Sequence, residues 1–358
     1  MTIAALALAT SCGKSDTPTA ASGPVDVRLV VSSGNNTRVG SDKTDNDIRQ
    51  LRVYAFKADG KKVGYAEADN LKGQNYIPIT LSEGGDINFY VIANDNFGPR
   101  PTVDTTSVTD WTSLSKANLE SLKFDLSEFG GWSATDDFVS PMSNNRYDEF
   151  GNELKNDSGT AAYKNDYGTA VNVTKPTVIL VTVQHVLGRL RLMLNKESDD
   201  VTITLKRAAV YNRPDYFLLY NSGSADIEYE KNESLVDEFV VSDIPLGTTQ
   251  KEVARTYLAP NLYGSSDPNT YTAQKTDGTT SNGLNKAYCL KLTVEFAYTT
   301  GTSEKKNYTE DYTVYLPRVP RNTSIDVQGT FKGTVVKPEF NVMTEAWEEK
   351  VMNIPEFQ

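Results

Sequence analysis

The feature that most constrains this chain is the return of apolar residues at every second position. From Tyr288 to Tyr298, Leu290, Leu292, Val294 and Phe296 share one side, and Lys291, Thr293 and Glu295 share the other. A period of two lines up one face of a strand but scatters around a helix, so this segment predicts a half-buried β-strand. Val25, Val27, Leu29 and Val31 repeat the pattern, with Asp26 and Arg28 between them. Further strand signals cover 51–56, which ends at the hairpin-type pair Asp59-Gly60, then 87–93, 178–183, 190–194, 201–205, 312–316 and 325–331. One helix is expected, over Trp111 to Phe124, where Trp111, Leu114, Leu119 and Leu122 stand near helical spacing behind Thr109-Asp110. Short strands joined by Gly, Asn and Asp, without alternating helices, give an all-β class of antiparallel β-sandwich domains. The chain's 358 residues accommodate two of them. The strand run through Gly188 places the boundary there, giving 25–187 and 188–338, with 339–358 as a C-terminal tail.

The chemistry-bearing residues are few. Lys and Arg number 36 against 47 Asp and Glu, a net charge of −11, which argues against a basic face for a nucleic-acid backbone and against a polybasic membrane surface. One histidine and two cysteines exclude Cys-rich zinc sites, multi-histidine metal centres and a disulfide framework. His185 ends an apolar strand with no nucleophile motif beside it, and reads as a structural histidine. Cys289 reads as a buried unpaired thiol. Glu83-Gly-Gly-Asp and Phe129-Gly-Gly-Trp lack a phosphate-cradling pattern. The acidic groups Asp42, Asp45, Asp47 and Asn94-Asp-Asn lack the spacing of a calcium loop and read as solvated turns. No paired carboxylates announce a glycosidase. The expectation is a protein without catalysis, cofactor or metal. Two long polar loops interrupt the strands, 143–171 carrying Tyr147, Phe150, Tyr163 and Tyr167, and 264–283.

The N-terminus carries an export signal. Ile3 to Ala9 is apolar but too short to span a bilayer, and small residues lead from it into Cys12. This is similar to the lipobox of bacterial lipoproteins, with Ala9 standing where Leu is usual. It implies a signal peptide over 1–11, acylation (palmitate) at Cys12 and a polar tether over 12–24. The first basic residue is Lys14, so the start codon is expected further upstream.

Several segments together resemble the fimbrillins, the lipoprotein pilins of Bacteroidales-type bacteria. They are Ile48-Arg-Gln-Leu-Arg-Val-Tyr-Ala-Phe56, Tyr90-Val-Ile-Ala-Asn94, Phe138-Val-Ser-Pro-Met-Ser143, Thr256-Tyr-Leu-Ala-Pro-Asn261 and the run from Leu316-Pro-Arg-Val-Pro-Arg-Asn-Thr to Phe331. The resemblance implies two transthyretin-like sandwiches with Greek-key-type connections and export through the periplasm to the outer membrane as a lipoprotein. It also implies cutting by an arginine-specific protease and polymerisation by donor-strand exchange into adhesive fimbriae. The implied partners are other fimbrial subunits, including tip and anchor proteins, the protease, and an unidentified host or bacterial surface ligand. The same resemblance covers tip and anchor subunits, and the alternatives from other classes are a surface glycan- or adhesin-binding lipoprotein that never polymerises and a hydrolase using an unrecognised carboxylate pair.

The residues fit that mechanism. The strand 25–32 would be the removable element, with Val25, Val27, Leu29 and Val31 filling an apolar groove. Behind it the polar run Ser32 to Ser41 is the kind of tip that proteases nick, and the bond between Arg38 and Val39 is the expected cut. An opened groove with unpaired backbone invites another chain's strand. The donor is expected from the tail, with Phe340, Val342, Trp347, Val351 and Ile354 as its pocket-filling residues. Met343, Trp347, Val351 and Ile354 also recur at helical spacing, which leaves a short C-terminal helix as the competing reading.

Overall fold

The computed structural model describes residues 23–36, 48–69, 71, 76–95, 101–103, 106–125, 140–145, 170–214, 216–220, 236–240, 242–261, 263–265, 273–274, 287–299, 305–332, 338, 340–346 and 349–350. The chain begins with β1 (Val25–Asn36), β2 (Gln50–Lys57), β3 (Lys62–Asp69), β4 (Tyr76–Leu81), β5 (Gly85–Ala93), β6 (Pro101–Val103), β7 (Thr106–Ser107), α1 (Lys116–Glu120) and β8 (Lys123–Asp125). There follow β9 (Met142–Ser143), β10 (Val171–Val173), β11 (Thr177–Thr182), β12 (Gln184–His185), β13 (Gly188–Lys196), β14 (Thr202–Tyr211), β15 (Tyr216–Leu218), β16 (Val236–Val240) and β17 (Ile244–Pro245). The last strands are β18 (Lys251–Leu258), β19 (Gly264–Ser265), β20 (Ala273–Gln274), β21 (Cys289–Thr299), β22 (Lys305–Tyr315), β23 (Thr323–Phe331), β24 (Phe340–Ala346) and β25 (Glu349–Lys350).

The all-β class read from the sequence is what the chain forms. In the N-terminal half, β1 lies between β4 and β11, and this sheet packs on a second one ordered β12-β9-β5-β2-β3, with β10 on β5. Between them lies a core of Val25, Leu29, Leu51, Val53, Ile79, Leu81, Phe89, Val91 and Val181. In the C-terminal half, β18-β13-β23-β24 packs on β16-β14-β21-β22. Leu290, Leu292, Val294 and Phe296 of β21 are all at most 2% exposed there, the face their period of two announced. Among the described residues two pairs run parallel in these otherwise antiparallel sheets, β1 with β11 and β13 with β23. A parallel neighbour needs a long crossover connection, and each of these pairs joins strands more than a hundred residues apart.

A third core, unforeseen in the sequence, lies between the sandwiches. The outer face of β2 and β5 (Tyr54, Phe56, Tyr90, Ile92) meets Leu119, Leu122, Phe124, Phe217, Tyr220 and Tyr257. A small sheet, β15-β8-β6-β7, joins strands from both halves here. The expected helix over 111–124 breaks up in this region. Asp110 caps a 3-10 turn at Trp111–Ser113, Ser115 starts α1 with a capping box to Asn118, and Lys123–Asp125 is drawn into a strand by pairing with β15.

The expected tail also begins later than the sequence suggests. Phe340–Ala346 is the edge strand of the C-terminal sheet, paired with β23 from Gly329↔Phe340 to Thr323↔Ala346. Phe340 is 6% exposed and packs near-edgewise on Phe331, 6.1 Å between ring centres. A Cβ on Gly329 would meet the Phe340 ring at 2.8 Å, so the glycine is what lets that ring lie across the ladder. The helical reading fails for 340–346 because the ladder and this pocket outweigh a four-residue spacing.

Candidate functional site

The site that the sequence singles out is the bed of β1. Its residues pair on both sides, antiparallel with β4 from Val25↔Leu81 to Val30↔Tyr76, and parallel with β11 from Val27↔Thr177 to Ser32↔Thr182. Val25 and Val27 are 3% exposed, and Leu29 and Val31 are fully buried, all four turned into the core. At about 1.5–3 kcal/mol per buried aliphatic side chain, their burial is worth roughly 6–12 kcal/mol as an upper figure. On the opposite face Asp26 accepts a 2.7 Å hydrogen bond from the Thr80 hydroxyl, and the Arg28 guanidinium lies 3.7 Å from the Tyr76 ring centre. Arg28 is thus held in the ladder.

Because β4 and β11 run in opposite directions, the bed without β1 would have one antiparallel and one parallel wall for a strand of either polarity. Departure of β1 would take from β4 and β11 the one ladder partner that each has among the described residues. The loop that follows, with Arg38 and Val39, lies outside the described residues, as does Cys12. Of the tail candidates, Phe340 and Val342 pack into the chain's own C-terminal sandwich, while Trp347, Val351 and Ile354 lie outside the described residues. What the sequence did not signal is β25. It pairs antiparallel with the far end of β1, Ser33 facing Lys350 and Asn36 facing Glu349.

The remaining candidates resolve into structure. Asp95 of the acidic turn is buried, its carboxylate 2.8 Å from the Arg52 Nε, and burial pushes that carboxyl up from its ordinary value against the pull of Arg52. Asn94, at a positive φ of 57°, uses its Oδ1 to accept from the Arg49 backbone N–H at 2.9 Å. Both are thus engaged in holding the start of β2. Asp42, Asp45 and Asp47 lie outside the described residues, and so do Tyr147, Phe150, Tyr163 and Tyr167. Cys289 is a free, buried thiol whose pKa burial raises. Arg321, within the Leu316-to-Phe331 segment, donates to the Ser143 Oγ at 2.8 Å and the Leu219 carbonyl at 3.2 Å, tying the two halves together. Nothing in its spacing marked it for that role.

His185 is 1% exposed at the same junction, and burial, then the nearby Arg189 charge, holds its pKa well below the ordinary 6.5. The folded state therefore keeps it neutral while an unfolded chain would protonate it. Its contribution to stability is complete above about pH 6.5 and is lost as the pH falls towards the depressed folded value. Because this is the chain's one histidine, urea unfolding between pH 7.5 and 5.5 should show stability falling below pH 6.5, with a slope approaching about 1.4 kcal/mol per unit. His185→Gln should flatten that slope, and an unchanged slope would place the titration elsewhere.

Comparison with known proteins bears on the fold and on one half of the sequence. A candidate cell-adhesion protein from Parabacteroides distasonis superposes with a TM-score of 0.52 at 12% identity, covering 94% of this chain and 99% of its own. Another, from Bacteroides eggerthii, gives 0.52 at 13% identity, covering 91% and 97%. These two share the fold. The C-terminally truncated tip fimbrial protein Mfa3 from Porphyromonas gingivalis gives 0.49 at 13% identity, covering 90% and 100%. None of the curated proteins matches the sequence. The half of the chain that holds β1 and its bed, residues 24–184, matches the family described as major fimbrial subunit protein (FimA), so the resemblance to fimbrillins is carried by the N-terminal sandwich itself.

Proposed function

We propose that this chain is a structural subunit of a surface fimbria, exported as a lipoprotein through Cys12 and held as a monomer by β1 until an arginine-specific cut after Arg38. The observation that carries the reading is β1 itself. It is a first strand laddered on both sides and buried along one face, followed directly by the segment with the arginine. A strand so placed completes the sandwich without being continuous with the rest of its sheet. A cut behind it leaves it held by non-covalent contacts alone, and a neighbour's strand of like pattern can replace it. Each subunit then gives one strand and receives another, a head-to-tail contact that does not close on itself and builds a filament. No catalysis is assigned.

The test is digestion of the purified precursor with an arginine-specific protease, followed by electron microscopy and native sizing. The expected result is a cut after Arg38 and filaments from the cut chain alone. Arg38→Ala should stay monomeric under the same treatment. Filaments from Arg38→Ala, or a clean cut at Arg38 that yields only monomers, would remove the stalk-subunit reading.

A further inference from the structure

The tail and the removable strand meet in the monomer. After β24 closes the C-terminal sheet, the chain crosses two residues and β25 lies against the end of β1, starting three positions beyond the last residue that β1 pairs with β4. Among the described residues β25 has no ladder partner other than β1. We propose that Ser33–Asn36 of β1 is a clamp on the chain's own C-terminal tail, so that departure of β1 opens the groove and releases the tail together. This deepens the subunit reading and rests on it.

The two tail strands are held unequally. β24 pairs with β23 along its whole length and buries Phe340, and none of those contacts involves β1. β25 has two register pairs, both to β1, with a register shift between them. When β1 leaves, β24 keeps its partner and β25 loses its own. The released segment is therefore 347–358, twelve residues that can reach roughly 40 Å when extended. The six positions that β1 pairs with β11 span only about 20 Å, so a segment of that length can fill a neighbour's bed. On this account Trp347, Val351 and Ile354 belong to the strand passed on, and Phe340 and Val342 anchor it. The clamp also has a kinetic consequence. An uncut subunit holds its tail down and so does not donate prematurely, whatever grooves stand open nearby.

Two changes to the full-length chain test it, each in a Cys12→Ser background. Asn36→Pro removes a backbone N–H at the clamp while leaving residues 25–31 untouched. In the uncut chain, hydrogen exchange across 347–358 should speed up at least tenfold, while exchange across 25–31 and 76–81 stays as in the parent. A tail that exchanges freely in the parent, or is unchanged by Asn36→Pro, overturns the clamp. The second change pairs Ser33→Cys with Lys350→Cys. Directly opposed antiparallel positions bring Cα atoms within disulfide range. The oxidised chain should run as a crosslinked monomer and, once cut, give no filaments until a reductant is added. Failure to crosslink, or filaments at equal rates oxidised and reduced, also overturns it. The exchange measurement needs no filament, so it stands even if the cut parent never polymerises, an outcome that would count against the subunit reading alone.

Discussion

Leu29→Asp is expected to prevent the uncut precursor from folding. Leu29 is fully buried between the two N-terminal sheets, and a carboxylate there would have no partner and no water. The lost apolar contact alone costs about 2–5 kcal/mol, and an unpaired buried charge adds to it, which together approach the whole stability of an ordinary domain. Leu29→Ala separates the parts of the argument. It should lower the unfolding free energy of the precursor by about 2–5 kcal/mol, read from the urea midpoint. After the Arg38 cut the same change should act in the opposite sense on assembly. The strand is then held without a covalent link, and a loss of about 2–5 kcal/mol raises its rate of departure by about one and a half to three and a half orders of magnitude. Filaments should therefore appear sooner. Asp26→Ser, on the exposed face, should move neither quantity by more than about 0.5 kcal/mol. A slower assembly for cut Leu29→Ala would mean that β1 stays in the finished fibre.

How much of this could be read beforehand depends on the kind of order each residue takes part in. Val25 to Val31 and Leu290 to Phe296 were legible because a strand with one buried face must alternate. At Gly188 a Cβ would stand 2.5 Å from the Val319 side chain, a close approach that the strand pattern through this residue did not announce. The third core was not legible. The strands of the small sheet that joins it are two or three residues long, as in β7 and β8, and its members Phe124, Phe217 and Tyr257 are far apart in sequence and carry no common period. Trp111 to Leu122 does carry a helical spacing, but Ser115 restarts the chain in the middle of it and pairing of β8 takes its end. At the candidate site, the inward face of β1 was legible and its second partner, β25, was not. A two-residue strand such as Glu349–Lys350 has no pattern, and its place is set by where β24 delivers the chain.

Ending the chain at Ala346 should leave the monomer folded and abolish its power to extend a filament. The ladder of β24 on β23 and the packing of Phe340 survive that truncation, so the melting temperature should stay within a few degrees of the parent. Ending it before Phe340 is a poorer experiment, because it strips an edge strand and a buried ring, a loss of about 3–5 kcal/mol from the ring alone. After the Arg38 cut, the shorter chain still has a bed for a donor but no donor of its own. It can therefore join one end of a growing filament and stop it there, since in a head-to-tail array each contact needs one giver and one receiver. Mixing makes this quantitative. With one truncated chain in ten, filaments should average on the order of ten subunits, and the mean length measured by electron microscopy should fall in inverse proportion to the truncated fraction. Filaments of parent length at every ratio would mean that the short chain is merely excluded. Filaments from the short chain alone would show that residues 347–358 are not the strand passed between subunits.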